Sequence, residues 1–227
     1  MKKCLTEYHL LPNKTNLDLH TQRDASANLW NRCLPTASRP ACDFAEFNKL
    51  RWATVGYHYN WTDKVYSPLD FTPVPHDLHV LCRLIASSLF AASPPFTPEA
   101  GIINYYHLNS TLSAHQDRSE PNMSAPLISV SLGCPGVFLL GGASKSTTPD
   151  AICLNSGDVC VMSGAARLSY HAVPKILAEP SPAAHWQYSG PSEAFKESQF
   201  YVDDAEWAVF NEYIRCNRIN MNVRQVF

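Results

Sequence analysis

The chain has 227 residues, of which 45% are hydrophobic and 17% are charged, and its formal net charge is −2. This length and composition can fill one core of ordinary size, so they predict one domain and argue against two. The net negative charge argues against a strongly basic nucleic-acid-binding protein, because neutralising phosphates requires a basic face.

Neither a membrane span nor an export signal is evident. No stretch approaches the roughly 18 consecutive apolar residues that a membrane-spanning helix needs, and polar residues follow Met1–Leu5 where a signal peptide would have an apolar block. The eight cysteines show no CxxC pair and no regular spacing, which argues against a zinc site and a disulfide framework. We therefore expect a soluble, intracellular protein with reduced thiols and no membrane partner.

The first hundred residues favour helices and one strand. Apolar residues at helical spacing, such as Leu81, Leu84 and Ile85, predict an amphipathic helix, whereas β-branched and aromatic residues predict the strand. The predicted elements are a helix over 21–33 with Leu29 and Trp30 on its apolar side, a strand over 49–59 and a helix over 79–92.

From residue 102 onward the sequence indicates short strands closed by glycine and proline turns. The predicted strands cover 102–106, 128–132, 137–140, 152–154, 159–162 and 217–226. A loop rich in proline, serine and alanine over 179–198 precedes a predicted helix over 203–216. Many short strands with such turns are typical of a β-sandwich or jelly roll.

His115, Asp117 and His171 form a candidate metal site. The residues of a His-x-Asp pair are two positions apart, so on a β-strand they point to the same side, and a third ligand from a distant strand can complete the set. Two imidazoles and one carboxylate on one face of a metal leave about three positions open, as in non-haem Fe(II) oxygenases. Alone, a His-x-Asp pair more often marks a surface turn or a core histidine, so the interpretation depends on a second motif.

The C-terminal residues supply that second motif. One face of the predicted strand is polar and carries two guanidinium groups, because Arg218, Asn220, Asn222 and Arg224 alternate with Ile219, Met221, Val223 and Gln225. Such a face is buried only around an anion, since an unpaired buried charge is costly. The two motifs together predict an iron site beside a clamp for a carboxylate.

Sequence motifs extend this interpretation over nearly the whole chain from about Cys4. They are Arg51–Trp61, Asn104–Tyr106, His115–Pro121, Leu127–Gly133, Phe138–Gly142, Ser156–Asp158, Arg167–Pro174, Arg218–Arg224 and Val223–Phe227. Their residues and spacing resemble the AlkB-type Fe(II)/2-oxoglutarate dioxygenases, and specifically the AlkB homologue one branch, whose members act on nucleic acid.

The resemblance implies an α+β fold with a double-stranded β-helix (jelly roll) core, N-terminal helices and a nucleotide-recognition lid. Residues 1–100 would form the helices and the substrate-recognition lid, packed on a jelly-roll dioxygenase core of residues 101–227, all in one structural domain. It also implies a monomer that demethylates or hydroxylates methylated bases in tRNA or in single-stranded or unpaired DNA. The expected compartments are the nucleus, the cytoplasm and the mitochondrion.

The resemblance also assigns roles to individual residues. His115, Asp117 and His171 would bind Fe(II), with 2-oxoglutarate and dioxygen as co-substrates, and Arg224 would brace the Asp117 carboxylate. The residues expected to bind 2-oxoglutarate are Asn104, Tyr105, Tyr106, Arg218, Asn220, Asn222 and Arg224, with Arg218 on the far carboxylate. The residues expected to bind the substrate are Trp30, Trp52, Tyr57, His58, Tyr59 and Lys145.

Two positions depart from the family pattern. Ser119 stands where repair-type members have an acidic residue that recognises the exocyclic amine of 1-methyladenine, so the substrate of alkylation repair is not expected. Asn222 replaces a threonine and keeps a small polar group facing the pocket. The sequence also lacks the long N-terminal extension of this branch, from which we expect either a weaker grip on nucleic acid or a truncated isoform.

Two alternatives remain open at this point. The first is a different function on the same fold, namely a protein (histone) demethylase or hydroxylase, or a catalytically weak binding module. The second concerns the basic side chains, which either converge at the mouth of the site or are scattered over the surface. These side chains are Arg51, Lys64, Arg118, Lys145, Arg167 and Lys175.

Overall fold

The computed structural model describes residues 1–19, 28–90, 95–178 and 201–227. The helices in these ranges are α1 (Lys2–Thr6), α2 (Leu29–Cys33), α3 (His76–Leu89) and α4 (Asp204–Ile214). The strands are β1 (Lys14–Thr15), β2 (Trp52–Asn60), β3 (Val65–Phe71), β4 (Ala100–His107), β5 (Leu112–His115), β6 (Leu127–Gly133), β7 (Gly136–Leu140), β8 (Asp150–Leu154), β9 (Val159–Met162), β10 (His171–Ile176) and β11 (Asn217–Arg224). Most of the predicted helix over 21–33, the end of the helix predicted over 79–92 and the loop predicted over 179–198 lie outside the described residues.

The strands form two antiparallel sheets. The larger sheet has the order β1-β2-β4-β11-β6-β9, with β3 paired to β2, and the smaller sheet has the order β5-β10-β7-β8. Leu127 and Met162 of the larger sheet pack with Phe138 and Leu154 of the smaller sheet, so the two sheets face each other. This arrangement of helices and facing antiparallel sheets is consistent with a jelly-roll core and confirms the predicted fold class.

The main hydrophobic core lies on the outer face of the larger sheet, where four helices cover it. Each helix contributes at least one buried side chain to this core, namely Leu5, Trp30, Leu78 and Phe210. The core therefore combines side chains from both sides of residue 100. A division into two parts at residue 100 stays a prediction.

Strand β11 separates this core from the space between the sheets. It pairs along its whole length with β4 on one side and with β6 on the other. Side chains alternate along a strand, so Ile219 and Val223 point into the main core while Arg218 and Arg224 point to the opposite face. Full burial of an isoleucine or valine contributes about 1.5–3 kcal/mol, so the apolar residues fix which way the arginines point.

The sequence predicts seven of the strands to within three residues at each end, and it does not predict β1, β3, β5 or β10. Strands β3 and β10 contain Pro68 and Pro174, which cannot donate a hydrogen bond to a neighbouring strand. The pairing of both strands also shifts register. Strand β5 contains no β-branched or aromatic residue, so its sequence carries little strand propensity.

No helix in the described ranges is long and apolar enough to span a bilayer. None of the eight cysteines forms a disulfide. Cys4, Cys33 and Cys82 lie in the main core, where a buried thiol packs as a small apolar side chain.

Candidate active site

His115, Asp117 and His171 meet in the space between the two sheets. His115 is the last residue of β5 and His171 is the first residue of β10, and the two are paired directly across the strands. One ligand atom from each of the three residues lies within 4.8 Å of the others. His115 and Asp117 do not share a strand, which is the geometry on which the His-x-Asp argument relied, because β5 ends at His115 and an irregular stretch of chain brings the carboxyl group to the histidines.

Both histidines present Nε2 to the site. Nδ1 of His115 lies 2.9 Å from the carbonyl oxygen of Ser113, and Nδ1 of His171 lies 3.1 Å from that of Ser169. A carbonyl oxygen only accepts, so Nδ1 carries the hydrogen in each ring and the lone pair of Nε2 is free to bind a metal. Burial lowers the pKa of His171, which favours the neutral ring that a metal needs.

Arg224 holds one oxygen of the Asp117 carboxylate. Its Nη2 donates to Oδ2 at 2.5 Å, while Oδ1 lies 3.5 Å from Nε2 of His115. Burial acts to raise the pKa of Asp117, but the charge of Arg224, together with His171 and His115, outweighs burial and holds the pKa below its usual value. The carboxylate is therefore ionised and keeps Oδ1 for a metal.

A buried ionic cluster, formed by Asp117, Glu120, Arg167 and Arg224, surrounds this contact. Arg167 donates from Nη1 to the backbone carbonyl oxygen of Asp117 at 2.6 Å and from Nη2 to Oε2 of Glu120 at 3.1 Å. Nε of Arg224 lies 2.9 Å from Oε1 of Glu120, an ion pair whose angle is too bent for a hydrogen bond. The sequence left open whether Arg167 lies at the mouth of the site or on the surface, and neither holds, because its side chain is only 2% exposed.

Arg218 is buried without an ionic partner in the described part of the chain. Its Nη1 donates to the carbonyl oxygens of Cys134 at 3.1 Å and Leu154 at 2.9 Å, and its Nη2 donates to Oγ of Ser131 at 2.6 Å. All three acceptors are neutral. Burial lowers the pKa of Arg218, yet a guanidinium stays charged in proteins. An unbalanced buried charge next to the metal ligands fits an anionic ligand.

Arg218 lines a cavity between the two sheets, and other residues of the predicted 2-oxoglutarate set line the same cavity. Tyr106, Asn220 and Asn222 line it together with His115 and His171. Asn220 donates from Nδ2 to Oγ of Ser129 at 2.8 Å, which orients its amide. Asn104 pairs with Asn220 across β4 and β11 and so shares its face of the sheet.

Tyr105 does not belong to this cavity. It is 1% exposed, and its hydroxyl donates to the carbonyl oxygen of Cys4 at 2.6 Å in the main core. The prediction that it binds 2-oxoglutarate is wrong, because the alternation along β4 points Tyr105 away from Asn104 and Tyr106.

Two of the predicted substrate residues are also internal. Trp30 is 3% exposed and packs against Phe47 and Phe210, so it cannot form part of a lid. His58 is 2% exposed, and its Nδ1 lies 2.7 Å from Oγ1 of Thr54. Both side chains are held by tertiary packing that the local sequence does not reveal.

The remaining aromatic candidates, Trp52, Tyr57 and Tyr59, lie on β2 and pack against rings of the following turn and of β3. The ring of Trp52 lies 5.1 Å from that of Trp61, and the ring of Tyr59 lies 5.2 Å from that of Tyr66. Tyr57 packs 4.8 Å from Phe71 at the other end of this set. We call these side chains the aromatic hairpin.

The aromatic hairpin touches the metal side of the site through two hydroxyl groups. Tyr66 accepts a hydrogen bond from Nη1 of Arg224 at 3.2 Å, and burial raises the pKa of Tyr66 to about 12, so it stays a neutral phenol. The hydroxyl of Tyr59 lies 3.1 Å from Oγ of Ser119. The ammonium of Lys145 lies 5.5 Å above the ring of Tyr170, the residue that precedes His171.

The sequence profile of one protein family, described as the 2OG-Fe(II) oxygenase superfamily, matches residues 4–224. The chain belongs to that superfamily. Membership of the 2OG-Fe(II) oxygenases implies Fe(II), 2-oxoglutarate and oxygen, and the His-Asp-His triad supplies a fitting donor set.

The chain is also similar in sequence to individual dioxygenases and demethylases. It is 40% identical over 237 residues to the human protein named Nucleic acid dioxygenase ALKBH1, covering 100% of this chain and 60% of that protein. It is 36% identical over 182 residues to the tRNA demethylase abh1 of Schizosaccharomyces pombe, covering 78% and 53%. It is 37% identical over 131 residues to the Escherichia coli Alpha-ketoglutarate-dependent dioxygenase AlkB, covering 53% and 60%.

These similarities confirm the AlkB-type resemblance. The chain spans about 60% of the length of the human relative that it matches. The solved structure of OsALKBH1 superposes with a TM-score of 0.55 at 22% identity, covering 78% of each chain, and thus shares the fold of this oxygenase.

Proposed function

We propose that the chain is an Fe(II)- and 2-oxoglutarate-dependent dioxygenase that demethylates or hydroxylates methylated bases in tRNA or DNA. The observation that carries the proposal is the unbalanced charge of buried Arg218 beside the His115, Asp117 and His171 triad. A metal site alone would fit many enzymes. A metal site next to a buried guanidinium fits one whose co-substrate is a dicarboxylate.

The metal would be held by Nε2 of both histidines and Oδ1 of Asp117. Fe(II) bound there would supply the oxidation of a methyl C–H bond, coupled to the conversion of 2-oxoglutarate and dioxygen to succinate and carbon dioxide. Arg224 keeps Oδ2 of Asp117 occupied, so the carboxylate presents one oxygen to the metal. Three protein ligands leave about three positions for the co-substrate and dioxygen.

The clamp for 2-oxoglutarate would consist of one charge and several neutral groups. Arg218 would donate to the carboxylate far from the metal, and Tyr106 and Asn220 would add hydrogen bonds between the two sheets. This arrangement would orient the co-substrate, because the guanidinium of Arg218 would bind one end and the metal would bind the other. Hydroxylation of a nitrogen-bound methyl group releases formaldehyde and the bare base, whereas a ring-carbon methyl group keeps the hydroxyl.

The aromatic hairpin would bind the target base. Flat apolar side chains stack on a base that has left its duplex, and each stacked base contributes about 1–3 kcal/mol. Tyr57, Tyr59 and Trp52 supply such faces on the aromatic hairpin, which contacts Arg224 through Tyr66, and Lys145 would add a basic contact. The names of relatives that act on nucleic acid or tRNA support this substrate class.

Several finer points belong to the same proposal. Oγ of Ser119 beside Tyr59 offers no negative charge to an exocyclic amine, which favours a base other than 1-methyladenine. The net charge of −2 favours weak binding of unpaired strands over tight binding of a duplex. We expect the protein to act as a monomer. The nucleus, cytoplasm and mitochondrion remain the predicted compartments.

The test is a panel of methylated tRNA, single-stranded DNA and histone peptides, incubated with Fe(II), 2-oxoglutarate and dioxygen. Mass spectrometry would score the loss or oxidation of methyl groups, and succinate would be measured in parallel. We expect turnover on nucleic acid that Asp117→Ala abolishes together with bound iron. Unaltered succinate formation in Asp117→Ala would refute the metal site, and preferred turnover of a peptide would favour the protein-modifying alternative.

A further inference from the structure

We propose that Arg167 and Glu120 are positioning residues for the metal ligand Asp117, an inference that rests on the proposed metal site. Neither residue belongs to the triad whose atoms would bind the metal. They would act through the backbone of Asp117 and through Arg224, which contacts the carboxylate directly.

Arg167 donates hydrogen bonds near both ends of the irregular segment that joins β5 to β6. Its Nη1 donates to the carbonyl oxygen of Asp117 at 2.6 Å, and its Nε donates to that of Ala125 at 3.1 Å. A guanidinium is planar and rigid, so three directed bonds from one side chain fix the segment in place. Without regular secondary structure, this segment depends on such side-chain bonds for its shape.

The same bonds fix the distance between the two metal-binding segments. Arg167 lies in a 3₁₀ turn, Gly164–Leu168, which leads directly to His171. From the other side, Gln116 donates from Nε2 to the carbonyl oxygen of Leu168 at 2.5 Å. The segment with His115 and Asp117 is thus joined at two points to the segment that ends at His171.

Glu120 fixes the orientation of Arg224. Its carboxylate lies between two guanidinium groups, with Oε2 accepting from Arg167 and Oε1 2.9 Å from Nε of Arg224. The side chains of Glu120 and Arg167 are 2% exposed and that of Arg224 is 3% exposed. Removing one partner of a buried ion pair leaves a charge without compensation, so the remaining groups must rearrange.

The cluster thereby prepares the metal site before a metal arrives. Two acidic and two basic groups balance one another, and Arg224 is left with Nη2 directed at Oδ2 of Asp117. Partners beyond the ligands typically affect metal affinity by about 10- to 100-fold, because they orient the ligating atoms. We expect an effect of this size from Glu120 and Arg167.

The experiment is a titration of the purified chain with Mn(II), a redox-stable probe, with free Mn(II) measured by electron paramagnetic resonance. Glu120→Gln keeps the shape of the side chain but loses its charge, and Arg167→Lys keeps the charge but cannot reach three acceptors. Both variants should bind Mn(II) about 10- to 100-fold more weakly than the parent.

Tyr8→Phe is the matched control. It removes a hydrogen bond of 2.7 Å from a residue that is 4% exposed, between the Tyr8 hydroxyl and Oδ2 of Asp77. This variant should lower the melting temperature and leave Mn(II) affinity unchanged. A purely structural role for Glu120 and Arg167 would give them the same pattern.

The outcomes separate this inference from the proposed function. The inference would be overturned if the folded Glu120→Gln and Arg167→Lys variants bound Mn(II) like the parent. Loss of folding in both variants would also overturn it, because the role of the pair would then be purely structural. If the parent binds Mn(II) no more tightly than Asp117→Ala, the metal site itself fails and the inference fails with it. Weaker binding in both folded variants, with normal binding in Tyr8→Phe, supports it.

Discussion

Replacing Arg218 by methionine should weaken 2-oxoglutarate binding by about 10²- to 10⁴-fold. Three of the five N–H groups of Arg218 donate to Cys134, Leu154 and Ser131, which leaves two for a carboxylate. A hydrogen bond to a charged group contributes about 1.5–3 kcal/mol, so two contribute about 3–6 kcal/mol. Each 1.4 kcal/mol corresponds to about tenfold in affinity, which gives the stated range.

Two measurements would follow this change. Calorimetric titration with 2-oxoglutarate in the presence of Mn(II) gives the dissociation constant, and succinate formation gives the KM. The melting temperature of the parent should also rise as 2-oxoglutarate is added, because a ligand stabilises the state that binds it. The melting temperature of Arg218→Met should not rise. Arg218→Lys should recover only part of the affinity, because an ammonium lacks the bidentate fork.

Arg39→Met is the control, since Arg39 also donates to backbone carbonyl oxygens, those of Arg32 at 2.6 Å and Leu34 at 2.8 Å. It does not line the cavity that contains Arg218. This variant should lose stability without losing affinity for 2-oxoglutarate. If Arg218→Met bound 2-oxoglutarate as well as Arg39→Met does, Arg218 would serve only the three neutral oxygens around it and the clamp would have to lie elsewhere.

Three further substitutions probe the walls of the site. Gly136→Ala should raise the KM for 2-oxoglutarate and leave Mn(II) affinity unchanged, because an added Cβ would lie 3.1 Å from Nε of Arg218 and 3.3 Å from its Cδ; an unchanged KM in the succinate assay would contradict the placement of the clamp. Tyr57→Ala and Tyr59→Ala should reduce oxidation of methylated nucleic acid, scored by mass spectrometry, while slow succinate formation without substrate continues. Loss of both reactions would move these rings from the substrate side into the structural core.

The parts of the site that the sequence predicts are those encoded by local spacing. Arg218 and Arg224 alternate with apolar residues within one strand, and the apolar residues are buried deeply enough to fix the register. The same rule correctly separates Tyr105 from Tyr106, although the motif that contains both suggests one shared role. Alternation within a strand was thus a better guide here than membership of a motif.

The parts that the sequence does not predict depend on pairs far apart in the chain. Glu120 and Arg167 are 47 residues apart, and no periodicity of either segment indicates that they meet. Trp30 is an aromatic residue on a short helix, and its burial depends on Phe47 and Phe210 from other elements. Asp117 reaches the histidines through irregular chain, which follows no repeating pattern.

The central position of β11 has a consequence for biosynthesis. A nascent chain that ends before Asn217 already carries all three metal ligands, but it lacks both arginines and leaves β4 and β6 as open edges. Insertion of β11 closes those edges and brings Arg218 and Arg224 to the site in the same event. The candidate site is therefore complete only after β11 has been synthesised and inserted, and a chain cut short before this strand would display unpaired edges that invite aggregation or chaperone binding.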